Sequence, residues 1–224
     1  MFPIISLLGV MGSGKGTLGP LVAAEFKLCH ISIGDLMRAV CSPPIQEAGE
    51  YINKMIENGE LVPSELIDTL SRSVALKVRI HNHRVVRDIV PSHIALPILQ
   101  RKILDLEVEG TYNGVLLDGF PRQLDHCEEA RELCFGPEFP TLVIYIDCPV
   151  EVARMRYLAR ARDGDTAASF DKRLAQFEEH MPSLLRKLAD EGLLVRAVID
   201  GSMTVDEAYE LLVASLRMKH GMPL

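Results

Sequence analysis

Short apolar runs closed by glycine or aspartate alternate along the chain with stretches whose apolar positions recur at helical spacing. The runs are Pro3–Leu8 before Gly9, Leu28–Ile31, Val115–Asp118 after Asn113-Gly114, Leu142–Asp147 and Leu194–Asp200. They are of strand length, bounded by turn residues and apolar on both faces, which predicts buried parallel strands. Helical patterns lie between them, over Thr17–Phe26, Gln123–Leu133, Val150–Arg160, Asp171–Asp190 and Thr204–Leu216. In the last of these, Thr204 and Glu207 are spaced as a capping box. The alternation predicts an α/β domain built on a central five-stranded parallel sheet with helices on both faces.

Two regions break the rhythm. Ser32–Tyr112 carries no clear buried strand and reads as helices, with an apolar-periodic stretch over Ile94–Leu106. Within it, Leu61–Ile67 is echoed by Ile89–Ala95, two short matches that make a weak case for duplication. Arg160–Asp171 is a short polar connection rich in Arg, Asp and Gly. Segments of this kind between core elements suit substrate covers.

Composition narrows the class. A chain of 224 residues, 48% hydrophobic and 25% charged, can bury one sizeable core. No apolar run reaches the length of a membrane span, and Met1–Ile5 lacks the basic flank of a secretory signal, so a cytoplasmic protein without a membrane partner is expected. The five cysteines are odd in number, widely spaced and without a CxxC pair, which favours reduced thiols over disulfides or zinc. A net charge of −7 and a pI of about 5.5 argue against a general nucleic-acid binder. Basic residues that serve an anionic ligand must therefore be gathered locally.

They are gathered first around Gly9-Val10-Met11-Gly12-Ser13-Gly14-Lys15-Gly16-Thr17, a Walker A loop between the first strand and the first helix. Its glycines allow backbone N–H groups to turn inward around an anion, and the following helix N-terminus adds favourable partial charge. Gly12, Ser13, Gly14, Lys15, Gly16 and Thr17 are thus the candidate ATP-phosphate residues, with Lys15 reaching the β- and γ-phosphates. Gly16 follows the lysine and has no side chain, so a metal ion has to be positioned by other groups and water. Asp118, ending an apolar strand, is the candidate carboxylate for Mg²⁺, through water.

The chain resembles the adenylate kinases and the related UMP/CMP kinases. The likeness rests on Gly12–Thr17, on Ile31-Ser32-Ile33-Gly34-Asp35-Leu36-Met37-Arg38, on Gly59-Glu60-Leu61-Val62-Pro63 and on Leu117-Asp118-Gly119-Phe120-Pro121-Arg122-Gln123. Arg156–Arg160, Lys172-Arg173-Leu174 and Asp200-Gly201 follow in the same order. The resemblance implies a P-loop NTPase fold with a CORE domain over 1–31, 112–155 and 173–224. An NMP-binding segment would span 32–62, an insertion-bearing helical segment 63–111, and a short LID 156–172. It implies transfer of the ATP γ-phosphate to a nucleoside monophosphate, with Mg²⁺ and without zinc, by a monomer. Arg156 and Arg160 would then contact ATP. Ile33, Arg38, Glu60, Leu61, Val62, Gly119, Phe120, Pro121, Arg122, His126, Arg162 and Arg173 would surround the monophosphate. Lys15, Arg122, Arg160, Arg162 and Arg173 would neutralise the transferring phosphoryl group. Two polyanions repel, and the planar guanidinium fork pairs bidentately with phosphate oxygens, so converging arginines suit the task.

Four departures bear on the reading. Ile33 replaces the threonine of Ser-Thr-Gly-Asp in adenylate kinases. His126 replaces the glutamine that follows Gly-Phe-Pro-Arg by four residues in AMP-selective members. The LID is minimal, and the stretch between Val62 and Asp118 is about 28 residues long beyond the family form, by the same offset as the echo, 90 − 62 = 28. Adenylate kinase is the leading expectation. A pyrimidine-type acceptor and a catalytically weak ATP-binding regulatory module are the alternatives. An acceptor such as a sugar or shikimate fits Asp118–Arg122 poorly.

Overall fold

The apolar run at the N-terminus forms β1 (Ile4–Gly9), and the glycine loop after it delivers the chain into α1 (Lys15–Glu25). The order continues β2 (Leu28–Ser32), α2 (Ser92–Glu109), β3 (Gly114–Asp118), α3 (Leu124–Ala130), β4 (Leu142–Asp147), α4 (Val150–Ala159), α5 (Ala167–Asp190), β5 (Leu194–Val198) and α6 (Val205–His220). The structure, a computed structural model, describes residues 2–35, 92–162 and 165–220. The chain divides into two compact units, 1–32 with 111–224, and 33–110. In the second unit, residues 33–35 are helical, and α2 buries Leu96, Leu99, Ile103 and Leu106 along one stripe.

All five strands of the first unit are parallel, in the order β2-β3-β1-β4-β5. The chain thus forms the predicted α/β fold of a P-loop NTPase domain. β1, β3 and β4 are the central strands, and their side chains are buried on both faces, as continuous apolar runs require. On one face, Leu18 and Val22 of α1 and Leu212 and Leu216 of α6 join Leu7, Ile144 and Ala197 in a single apolar cluster. α5 packs against α3, α4 and β5 and buries Phe170, Met181, Leu184 and Leu188. Because β1 lies between β3 and β4, the chain leaves its central strand with neighbours added on both sides. The carboxyl ends of these strands therefore open onto one crevice, where open α/β sheets bind ligands.

Several expected boundaries move. β5 was expected to be buried on both faces over Leu194–Asp200, yet it ends at Val198 and exposes Arg196 and Val198, because it is an edge strand with one face open. α5 begins at Ala167 rather than Asp171. Thr166 and Ser169 form a reciprocal capping box there, with Ser169 N–H donating to Thr166 Oγ1 at 3.1 Å and Thr166 N–H to Ser169 Oγ at 2.9 Å. The helix expected over Gln123–Leu133 stays α-helical only to Ala130 and continues as a π-turn over Arg131–Phe135. Arg131 is held there by the Phe139 carbonyl and by both carboxylate oxygens of Glu191. The Thr204–Glu207 capping box forms as expected, and its helix runs on to His220.

Candidate functional site

The loop between β1 and α1 is shaped by two left-handed glycines, Gly12 at φ +86° and Gly14 at φ +103°, the latter capping α1. The Gly14 carbonyl accepts from the N–H groups of Thr17 and Leu18 and starts the helix. Lys15 turns its ammonium back into the loop, donating to the Gly9 carbonyl at 2.6 Å, the Val10 carbonyl at 2.9 Å and Ser13 Oγ at 3.4 Å. Ser13 is fully buried, while Gly16 and Thr17 are exposed.

Burial pulls the Lys15 pKa from 10.5 down to about 8. The nearby Asp118 carboxylate opposes the shift, and Arg122 and Arg160 add to it. Asp118, Arg122 and Arg160 are thus near enough for their charges to be felt at the lysine. The pairing of Leu7 with Asp118 brings β3's last residue level with the start of the loop, and Gly119 N–H donates to the Leu7 carbonyl at 3.0 Å.

Asp118 is buried, with Oδ2 3.7 Å from His30 Nε2 on β2. That nitrogen is buried and has no hydrogen-bond partner among the described residues. It occupies space left by Gly19 of α1, where a Cβ would lie 2.7 Å from it. The place of His30 beside the metal candidate emerges only when β2 pairs with β3. A buried strand-end carboxylate is the type of group that can hold a hydrated Mg²⁺, while Gly16 offers no side-chain ligand.

Two of the candidate arginines, Arg156 and Arg160, stand on α4 and at its C-terminal cap. Arg156 points Nη1 toward Cys148 Sγ at 3.9 Å, just past the end of β4. Arg160 stacks its guanidinium 4.4 Å above the Tyr157 ring and pairs twice with Asp165, at 2.5 and 3.1 Å. Burial alone would raise the Asp165 pKa, but hydrogen bonds from Arg160 and Tyr157 hold it below the usual carboxylate range. Arg173 of α5 donates to Tyr157 Oη at 3.2 Å. Arg162 is exposed, and its carbonyl accepts from Asp165 N–H at 2.9 Å. Neither Tyr157 nor Asp165 was singled out from sequence. The one available signal was Tyr157 preceding Arg160 by three residues, one turn along the same helix.

On the acceptor side, Gly119 takes φ +84° and Arg122 Nε donates to its carbonyl at 3.0 Å. Phe120 and Pro121 are buried, and the His126 ring stacks on Phe120 at 5.7 Å with the planes 9° apart. His126 Nδ1 is buried and has no hydrogen-bond partner among the described residues. Burial lowers the His126 pKa, with Glu129 opposing and Arg122 reinforcing the shift, so the ring is neutral near pH 7. Ile33 is buried at the start of the second unit. Arg38, Glu60, Leu61 and Val62, with the Leu61–Ile67 echo and most of the inserted segment, lie outside the described residues. Among the described residues, no cluster of His, Cys, Asp or Glu is arranged to hold a metal ion by itself, and no helix is long and apolar enough to cross a membrane.

A glycine loop on the central strand of a parallel sheet, with its lysine turned inward beside a strand-end aspartate, defines a P-loop nucleotide-binding protein. A family model described as an AAA domain matches residues 8–93. The UMP-CMP kinase of Sus scrofa is 25% identical over 215 residues, which is 94% of each chain. The uridylate kinase of Saccharomyces cerevisiae is 26% identical, covering 96% of this chain and 90% of its own. The adenylate kinase of Nautilia profundicola is 28% identical, covering 99% of this chain and 100% of its own. Each of these relatives bears the name of a nucleoside monophosphate kinase, and the chain is similar to them over nearly its whole length.

Proposed function

We propose that the protein transfers the γ-phosphate of ATP to a nucleoside monophosphate, with AMP as the principal acceptor. The observation that supports the reaction is the glycine loop with Lys15 turned back into it, its ammonium on the Gly9 and Val10 carbonyls and its charge felt by Asp118, Arg122 and Arg160. A phosphate oxygen is itself the nucleophile, so the protein need only align two anions and neutralise charge. In this reading Lys15 leaves its loop carbonyls for the β- and γ-phosphates, Arg156 packs against the ATP base, and Arg122, Arg160 and Arg173 hold the transferring group. Arg162, exposed beside Asp165, joins them from the LID side. Asp118 would hold Mg²⁺ through water, and the ion would supply charge neutralisation. Gly119, Phe120, Pro121, Ile33 and His126, with Arg38, Glu60, Leu61 and Val62, receive the monophosphate.

AMP is supported by the adenylate kinase similarity over the whole chain. A neutral His126 also offers one donor and one acceptor, as an adenine edge requires. A second reading, UMP or CMP as acceptor, is favoured by the names of the relatives at 25–26% identity and by an aliphatic Ile33 where the adenylate kinases carry a hydroxyl. The test is ADP formation from MgATP with AMP, UMP, CMP, GMP or dAMP offered singly. AMP-dependent turnover well above the others supports the first reading. A pyrimidine preference replaces it with the second, and turnover with none of them removes the kinase assignment.

His126→Gln should shift acceptor preference. Exchanging one buried polar edge for another alters base discrimination by about 1–3 kcal/mol, roughly 5- to 150-fold in the ratio of kcat/KM values. The KM for ATP should stay within about twofold. An unchanged acceptor ratio with an altered ATP constant would contradict the placement of His126.

Lys15 also predicts a proton signal. A group with a pKa of about 8 is half-protonated at pH 8. Bound phosphates favour its charged form, so MgATP binding at pH 8 should take up about half a proton. Uptake should vanish near pH 6.5, where the free protein already carries the proton. Calorimetry in buffers of differing ionisation enthalpy measures this, with Lys15→Met as the blank. Proton release, or equal uptake by the variant, would reject the assignment.

A further inference from the structure

Tyr157 is fully buried on α4, where Arg160, residues of α5 and the glycine loop all approach it. The geometry points to Tyr157 as a positioning residue that holds Arg160 and Arg173 together as one phosphate-binding pair. The identity of the anion rests on the kinase reading above. The positioning itself rests on contacts of the tyrosine. Its ring lies beneath the Arg160 guanidinium at 4.4 Å and 6.0 Å from that of Arg173. Its hydroxyl accepts from Arg173 Nη1 at 3.2 Å and shares a hydrogen bond with Ser169 Oγ at 3.0 Å. Ser169 is fixed in turn by the capping box that starts α5. Phe170 packs edge-on against the ring at 5.2 Å. The Tyr157 backbone nitrogen also stands 3.2 Å from the point where Gly12 would carry a Cβ, so the same residue abuts the glycine loop.

The physical need for such a residue follows from the short LID. Only residues 160–166 join α4 to α5. A connection this brief has few groups of its own with which to orient two long side chains. An arginine loses much rotamer freedom when it is immobilised on a ligand, and pre-ordering moves that cost out of the binding step. Stacking on an aromatic face restrains a guanidinium in its plane while leaving its N–H edges directed outward for an anion. Arg160 is held by the ring, and Arg173 by the hydroxyl. One side chain thus sets the spacing of both. Asp165 is the present partner of Arg160, and an entering phosphate takes over those N–H groups while the stack on Tyr157 is retained.

The two halves of the tyrosine can be tested separately. Tyr157→Phe keeps the ring and loses the hydroxyl's bonds to Arg173 and Ser169. Tyr157→Leu loses both. Calorimetry on the full chain would use inorganic tripolyphosphate and, separately, adenosine as probes. Tyr157→Phe is expected to weaken tripolyphosphate about 3- to 10-fold, and Tyr157→Leu more, about 10- to 100-fold, with adenosine affinity unchanged within about twofold. In an Arg160→Met/Arg173→Met background, Tyr157→Leu should have no further effect on tripolyphosphate, because its action passes through those two side chains. Equal weakening of both probes, or an undiminished effect in the arginine-free background, would overturn the inference in favour of a packing role. Wild-type binding of tripolyphosphate with unaltered affinity in both tyrosine variants would overturn it as well. Failure of the wild-type chain to bind MgATP or tripolyphosphate at all would instead reject the kinase reading and the inference with it.

Discussion

Lys15→Met should lower kcat by at least about 10²–10³-fold while leaving the fold intact. The magnitude is that of removing one preorganised donor from the place where charge develops in a transition state. The stability half of the expectation comes from the free protein. Lys15 is buried enough to bring its pKa from 10.5 to about 8. A base with a depressed folded-state pKa penalises folding in its charged form. That penalty is fully present below about pH 8 and is relieved as pH rises from there toward 10.5, where the unfolded chain would still hold the proton. Methionine is near the lysine stem in length and carries no charge, so at pH 7 the variant escapes the penalty. Its Tm should equal or exceed that of the wild type. Its hydrogen bonds to the Gly9 and Val10 carbonyls are lost, which limits the gain. Activity lost together with a sharp fall in Tm would mean that Lys15 acts as a structural strut. Turnover within tenfold of wild type would remove Lys15 from the reaction. Only a large activity loss at preserved stability fits a lysine kept charged and poorly solvated for the sake of a phosphate.

The parts of this site legible in the sequence are those whose chemistry is local. The glycine loop is contiguous, and its flanking strand and helix are each set by a clear period, so Lys15 could be assigned a role from the chain alone. Asp118 was legible because it closes an apolar run. What escaped was written across elements. Tyr157 looks like a core aromatic in sequence. Its partners come from the following loop and from α5, and its hydroxyl meets Arg173 sixteen residues away. His30 reaches Asp118 only through the pairing of β2 with β3. The start of α5 escaped for a local reason. The serine at the third position of its capping box serves where glutamate or glutamine is the usual signal, so Thr166 did not read as a cap. β5 was misjudged because a run of apolar residues reports hydrophobicity and not its position in the sheet. Arg196, the one charge inside the run, pairs with Asp147 and stacks over Tyr145 on the open face, as suits an edge strand.

Gly12→Ala should be the most disruptive single-methyl change in the loop. The backbone at Gly12 has φ +86°, where an alanine is strained by about 1–2 kcal/mol. The larger effect is steric. An added Cβ would lie 2.0 Å from the Ala153 carbonyl oxygen and 2.9 Å from its carbon. These are backbone atoms in the middle of α4 and cannot rotate aside, so the loop and the helix must separate. Overpacking of this kind costs about 1–3 kcal/mol, and the two costs together predict a Tm lower by roughly 5–15 °C. Function should suffer further, because α4 carries Arg156, Tyr157 and Arg160. Displacing α4 from the loop moves those side chains away from Lys15, and misplacement by about 1 Å is enough for a loss on the order of 10²-fold. The control is Gly16→Ala, the same methyl four residues on, at a helical position with no atom within 4 Å of the new Cβ. Its Tm should match or slightly exceed the wild type, since alanine is the better helix former. Thermal melts of the two variants, with MgATP affinity measured alongside, decide the matter. If Gly12→Ala melts with Gly16→Ala and binds MgATP like the wild type, the close approach of loop and helix does not hold the site together. If only Gly12→Ala loses both stability and affinity, the glycine is there for the packing of α4 against the loop as much as for the anion.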